Sequence, residues 1–328
     1  MSAGGGTKAV VAALLANTGI AVTKFIAFLL TQSSSMLAES IHSVADAGNQ
    51  ALLLLGGRRA TRAATPQHPF GYGRERYIYA FIVSIVLFSV GGLFALYEAY
   101  HKWHEQREHP GGIDSWQWVP IVVLLVAIVL ESFSLRTAVV ESNAVRGRAT
   151  WKQFIRGSRQ PELPVVLLED VGALLGLVFA LIGVSMTLVT DNGYWDAAGT
   201  AMIGLLLVAI AIVLAIETKS LLLGESATPE DVTKIQHAIT EGPEVSRIIH
   251  MKTMHLGPEE VLVAAKIAVE PTESADEVAQ HINAVEDRIR AAVPMARVIY
   301  LEPDIYSAEA AKQPPKTGTG EPAGEPAH

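Results

Sequence analysis

Cysteine is absent from the chain. Disulfides are therefore excluded, and so is a thiolate site of the kind that selects Cu(I); any metal must be held by imidazole, carboxylate, amide or water. Charge is scarce as well, since Asp, Glu, Lys and Arg make up 18% of the 328 residues. The formal net charge is -8, which gives no support for a nucleic-acid partner, because that needs a basic face. Half of the residues are hydrophobic and the mean hydropathy is +0.32, above what soluble domains show. Such a chain belongs in a lipid bilayer.

A bilayer core of roughly 30 Å takes about 20 mostly apolar residues per helix. Six stretches meet that length, at residues 10–30, 36–55, 77–97, 118–140, 164–188 and 198–223. The first is too long, and lacks the small-residue end, expected of a removed signal peptide. Basic residues collect between the second and third stretches (Arg58, Arg59, Arg62, Arg74, Arg76) and between the fourth and fifth (Arg136, Arg146, Arg148, Lys152, Arg156, Arg159). By the positive-inside rule these loops are cytoplasmic, and both termini with them. With no targeting segment ahead of the first stretch, the expected location is the cell (inner) membrane.

The character of the chain changes after residue 225. "TPEDVTKIQHAITEG" reads as a helix capped by Thr228, with Pro229 in its first position and Gly242 past its end. Two strands follow around Gly257 and Pro258, then the amphipathic helix "SADEVAQHINAVEDRIRAAV" and a closing strand "ARVIYLEP". This α-β-β-α-β order predicts a small cytoplasmic ferredoxin-like α+β domain. The expected division is a six-helix transmembrane domain at 1–225, the ferredoxin-like domain at 226–305, and a disordered Pro/Gly/Glu-rich tail at 306–328.

One segment of the second stretch, "AESIHSVADAGNQ", is too polar to be there for membrane anchoring alone. On a helix His42 and Asp46 lie one turn apart, and Asn49 continues their face. A carboxylate near the bilayer centre costs about 3 kcal/mol even on the lenient insertion scale, which marks it as functional. A second acidic feature, Glu169 and Asp170 in "VLLEDVGALLG", sits at similar depth. Adjacent helical residues point about 100° apart, so only one of the two readily faces His42 and Asp46. Imidazole and carboxylate ligands suit Zn2+ and accept Co2+, Fe2+ or Mn2+. Imidazole binds metal only when neutral, and its ordinary pKa is about 6.5, so metal and proton compete for such a site.

The motifs "HSVADAGNQ", "HPFGYGRER", "VLLEDVGALLGL" and "SLLLGE", in this order on six spans, resemble the cation diffusion facilitator family, and within it the branch containing the mitochondrial zinc transporter of animals. The resemblance covers nearly the whole chain, from Thr7 to about Pro303. It implies a homodimer that moves Zn2+ or a similar divalent ion (Mn2+, Fe2+, Co2+, Cd2+) outward by alternating access, in exchange for protons and without a prosthetic group. Carried over by position, the transport ligands are His42, Asp46 and Asp170, with the fourth place held by Val166, which binds no metal. Asn49 or a water is favoured for that place, with Glu39 and Glu169 as further candidates. The resemblance also implies a hinge ion pair between Arg74 and Glu225. Of the metal site often found in the loop after the second span only His68 survives, with Thr65 and Tyr72 in the other positions. In the soluble domain Ile249, Ala265 and Tyr300 stand where ligands are expected, so that domain is read as a dimer interface and base.

Glu131, in the fourth stretch, is a further candidate as a proton relay or an added ligand. Lys24 is expected to snorkel to the outer surface, and Asp196 to favour the start of the last span electrostatically. Two other classes compete. An intramembrane metal-dependent hydrolase lacks support, because there is no HExxH and no paired nucleophile and base. A metal sensor or scaffold is disfavoured because the soluble ligands are mostly lost.

Overall fold

The computed structural model describes residues 5–31, 34–108 and 118–306, of which the side chains at 5, 31, 34–39 and 41 are not described. Two compact units divide between Glu225 and Ser226, with Leu256–Glu259 grouped with the first.

The first unit holds α1 (Gly5–Thr31), α2 (Ser34–Ala60), α3 (Glu75–Glu108), α4 (Trp118–Arg146), a short α5 (Trp151–Gly157), α6 (Glu162–Thr190) and α7 (Tyr194–Leu223). Among the described residues five helices are long and apolar enough to cross a membrane: α1 over Gly6–Leu30, then α3, α4, α6 and α7. α2 equals α1 in length at 27 residues, about 40 Å at 1.5 Å per residue. Its own polar residues hold its hydropathy down, yet it packs between α1 and α3 as a bundle member. The first unit thus combines five apolar helices with one polar one of the same length class, and the polar one carries the residues singled out above.

α3 is longer than expected. It runs on past Tyr97 to Glu108 and includes a π-helical stretch, Leu87–Leu93. α1 packs against α2 and α4, α6 against α4 and α7, and α3 against α2 and α7. Val10, Leu53, Val83, Leu163, Leu167 and Leu214 are among the apolar residues buried together between these helices. The outward faces carry Phe133, Ile182 and Ile216, each more than half exposed, as lipid contact requires. At one crossing the backbones of α3 and α7 come unusually close. A Cβ on Gly92 would sit 2.6 Å from Val208 Cγ2 and 3.1 Å from its backbone nitrogen, so only glycine fits.

The second unit follows the expected order. Thr228 caps α8 (Pro229–Thr240) by accepting from the Asp231 backbone N–H at 3.2 Å, with Pro229 at the start. β1 (Arg247–Gly257) and β2 (Glu260–Ala268) are joined by two residues, which only an antiparallel pair allows. α9 (Ala275–Ala292) opens with a capping box in which Ser274 and Glu277 bond each other's backbone N–H, then returns the chain to β3 (Ala296–Asp304). β3 lies parallel to β2, with Val263 opposite Ile299, in a sheet of order β1-β2-β3. Ile235 and Ile239 of α8 and Val285 and Ile289 of α9 cover one face of the sheet, meeting Val263 and Ile267. This is the ferredoxin-like α+β domain the pattern predicts. The segment read as a disordered tail lies, apart from Tyr306, outside the described residues.

Candidate metal site among the membrane helices

His42 Nε2 and Asp46 Oδ2 are 3.8 Å apart on α2, each side chain about one quarter exposed. The i, i+4 spacing on a helix places them so. The ring of His42 lies beside the π-helical stretch of α3, where a Cβ on Gly91 would be 3.9 Å from its Cε1. Such stretches often occur at functional positions, and glycine leaves the imidazole room.

One turn beyond Asp46 along α2 the polar groups are fully enclosed. Asn49 Nδ2 donates to Glu169 Oε1 at 3.0 Å, and Gln50 Nε2 donates to Glu169 Oε2 at 2.6 Å. All three residues are buried, at 1%, 0% and 4% exposure. Asp170 turns the other way, toward α4, where its Oδ2 accepts from Ser134 Oγ at 2.8 Å. Glu131, one turn earlier on α4, is buried beside Asp170, and Asp46 and Glu169 also act on it electrostatically. Both Glu131 oxygens and Asp170 are acceptors when ionised, so the two carboxyls can bond only when one carries a proton.

The structure therefore places the acidic pair on two different helix contacts. Glu169 meets α2 and Asp170 meets α4, with Asp46 near enough to both Glu169 and Glu131 to interact. Among the described residues no three His, Asp or Glu side chains converge as a ready metal site. Val166, one turn before Asp170, is buried in the apolar core. Asn49, expected as a ligand, has its amide nitrogen engaged by Glu169 and its oxygen Oδ1 buried without a hydrogen-bond partner. The side chain of Glu39 lies outside those described.

Other expected residues settle as follows. His68 Nδ1 is 3.1 Å from Tyr72 Oη, and the two rings meet at a tilt of 35° with centroids 4.6 Å apart. Glu225 pairs with Arg159, and Arg76 pairs with Glu162. Lys24 is 7% exposed, enclosed by the bundle instead of reaching its surface. Asp196 bonds Lys102 of α3 at 2.9 Å, a partner the sequence did not point to. In the second unit His237 and His281 sit 3.9 Å and 3.3 Å from Glu241 and Glu273, while His250 lies on β1 with its side chain exposed. Ser134 was also missed, although it stands three residues after Glu131 and so shares its face.

Comparison with known proteins bears on this arrangement. The model of the cation efflux transmembrane domain matches residues 10–223. The human protein named proton-coupled zinc antiporter SLC30A9, mitochondrial, is 32% identical over 262 residues, covering 79% of this chain and 45% of its own length. Metal tolerance protein C4 of Arabidopsis thaliana is 28% identical over 76% of this chain and 54% of its own. The manganese efflux system protein MneP of Bacillus subtilis is 22% identical, covering 76% and 80%. The chain spans about half the length of the animal and plant relatives it matches. With the family model covering most of the chain and all of its membrane helices, this protein belongs to the cation efflux family, in a branch similar to the animal SLC30A9 proteins.

Proposed function

We propose that the protein carries a divalent cation, Zn2+ foremost, across the membrane in exchange for protons by alternating access. The observation that carries this reading is the run of polar groups from His42 and Asp46 to Glu169, Asp170 and Glu131, set within otherwise apolar helices of a cation efflux protein. Each buried carboxylate is costly there, and a passing cation offsets that cost. The relatives' names, which include a zinc antiporter and a manganese efflux protein, support a transported metal as cargo; the imidazole and carboxylate donors also accept Fe2+, Co2+ and Cd2+.

His42, Asp46, Asp170 and Asn49 are the ligands in this account, with Glu39, Glu131 and Glu169 as supporting groups and His68 as a loop residue at most weakly engaged. His42 and Asp46, partly exposed, take the ion first; Asp170 completes the shell once α2, α4 and α6 shift. A proton on the imidazole or a carboxyl and a metal on the same atom exclude each other, which couples the two fluxes. The protein works in the cell membrane as a homodimer, with the basic loops and both termini on the cytoplasmic side. The test is uptake of radioactive zinc into proteoliposomes of the purified protein under an imposed proton gradient. Uptake that follows the gradient and collapses with it supports the reading; uptake that ignores the gradient overturns the antiport.

A further inference from the structure

We propose that Glu169 is a positioning residue, which holds the side-chain amides of Asn49 and Gln50 so that their carbonyl oxygens stay open to the transported cation. This rests on the transport reading above and adds an oxygen-rich component to its ligand set.

The geometry carries the argument. Each Glu169 carboxylate oxygen takes one amide: Oε1 accepts from Asn49 at 3.0 Å and Oε2 from Gln50 at 2.6 Å. Ionised, Glu169 accepts and cannot donate, and in that state both amides turn their NH2 groups toward it and their oxygens away, the arrangement observed here. Asn49 Oδ1 and Gln50 Oε1 are then left buried with no hydrogen-bond partner among the described residues. Two buried acceptors without partners are unfavourable unless something fills them, and a divalent cation takes amide oxygens readily. Asn49 and Gln50 follow Asp46 by three and four residues, so their side chains leave α2 on the Asp46 face. Val166 on α6 is buried and apolar and offers no donor, and the amide oxygens of α2 are available for the fourth place. Amide oxygen is a harder donor than imidazole and suits Mn2+, so a wider cargo range follows.

The test exchanges hydrogen-bond polarity. In E169Q the new amide offers one acceptor and one donor, so Asn49 or Gln50 must turn its oxygen inward and present NH2 to the cation. Titration of Zn2+ and Co2+ into the full-length protein in detergent should show affinity falling about 10- to 100-fold, the usual scale for loss of an outer-shell partner. The double variant N49D/E169Q restores complementarity, because the new carboxylate accepts from the new amide and keeps an oxygen for the cation. It should bind within a few-fold of wild type. E169Q binding as wild type does, or a double variant as weak as E169Q, overturns the proposal. If E169Q does not yield folded protein, the double variant decides alone: near wild-type affinity supports it, and a loss of tenfold or more overturns it. Failure of the wild type to bind either metal rejects the transport reading instead.

Discussion

Lys102 of α3 and Asp196 of α7 form a 2.9 Å ion pair, and the same ammonium lies 3.4 Å from Glu98 and 3.2 Å from Thr200 Oγ1. The side chains are 19% to 31% exposed, too enclosed for water to replace the partner freely. This contact and the glycine crossing below it join α3 to α7 at two heights.

Removing Lys102 takes the cation away from both Asp196 and Glu98. Lys102→Met is expected to lower stability by about 1–2 kcal/mol, less than a fully buried pair would lose. The double variant with Asp196→Asn should be more stable than the sum of the two single losses implies. Thermal unfolding of the four proteins in detergent measures that coupling.

Gly92 offers a steric test of the same helix pair. With Val208 Cγ2 2.6 Å from the site of a new Cβ, Gly92→Ala should cost about 1–3 kcal/mol and slow transport. Gly57 on α2 has nothing within 4 Å, so Gly57→Ala should leave stability unchanged or raise it by about 0.5–1 kcal/mol. Melting temperatures of the two variants, measured side by side, separate packing from helix propensity.

Val166 lies one helical turn before Asp170 and is wholly buried. Val166→His should place an imidazole on the face of the Asp170 carboxylate and shift preference toward Zn2+ over Mn2+ by about tenfold, since nitrogen donors favour zinc. Competition between the two metals in transport assays reads that ratio.

In the soluble unit Arg288 donates to both Glu244 oxygens at 3.2 Å and to the Ala238 carbonyl at 2.9 Å. The hydrogen bonds from Arg288 hold the Glu244 carboxyl below its ordinary range. A depressed folded-state pKa stabilises above the unfolded value and is lost as pH falls through the folded value. Protection of residues 226–306 against hydrogen exchange in the full chain should therefore weaken as pH falls below about 4. In Arg288→Ala that pH dependence should be smaller and protection at neutral pH lower by about 1–2 kcal/mol.

Much of this was legible from a few residues. Thr228 announced the first soluble helix through capping chemistry, the amphipathic pattern announced the second, and His42 with Asp46 stood out because lipid penalises such groups. The direction of Glu169 and Asp170 was not legible. Neighbours on a helix differ by about 100°, and packing decides which one meets α2. The result is that the residue carried over as a ligand faces Ser134, while its neighbour holds the amides of α2. The last turns of α3 looked like a loop because Lys102 and Arg107 interrupt the apolar run, yet Lys102 finds Asp196 and the helix continues. Arg159, one of several arginines in a basic stretch, carried no mark that it would take Glu225. The π-helical stretch left only Gly91 and Gly92 as a trace, which read as ordinary small residues in a membrane helix.

The most direct test of the central claim is proton movement driven by metal in proteoliposomes of the purified protein, with a pH dye in the lumen. Zn2+ added outside should alkalinise the lumen in wild type, and Asp46→Ala, folded to the same melting temperature within a few degrees, should show no response. No proton movement in wild type with any of Zn2+, Mn2+, Fe2+ or Co2+, or an undiminished response in Asp46→Ala, would contradict the account.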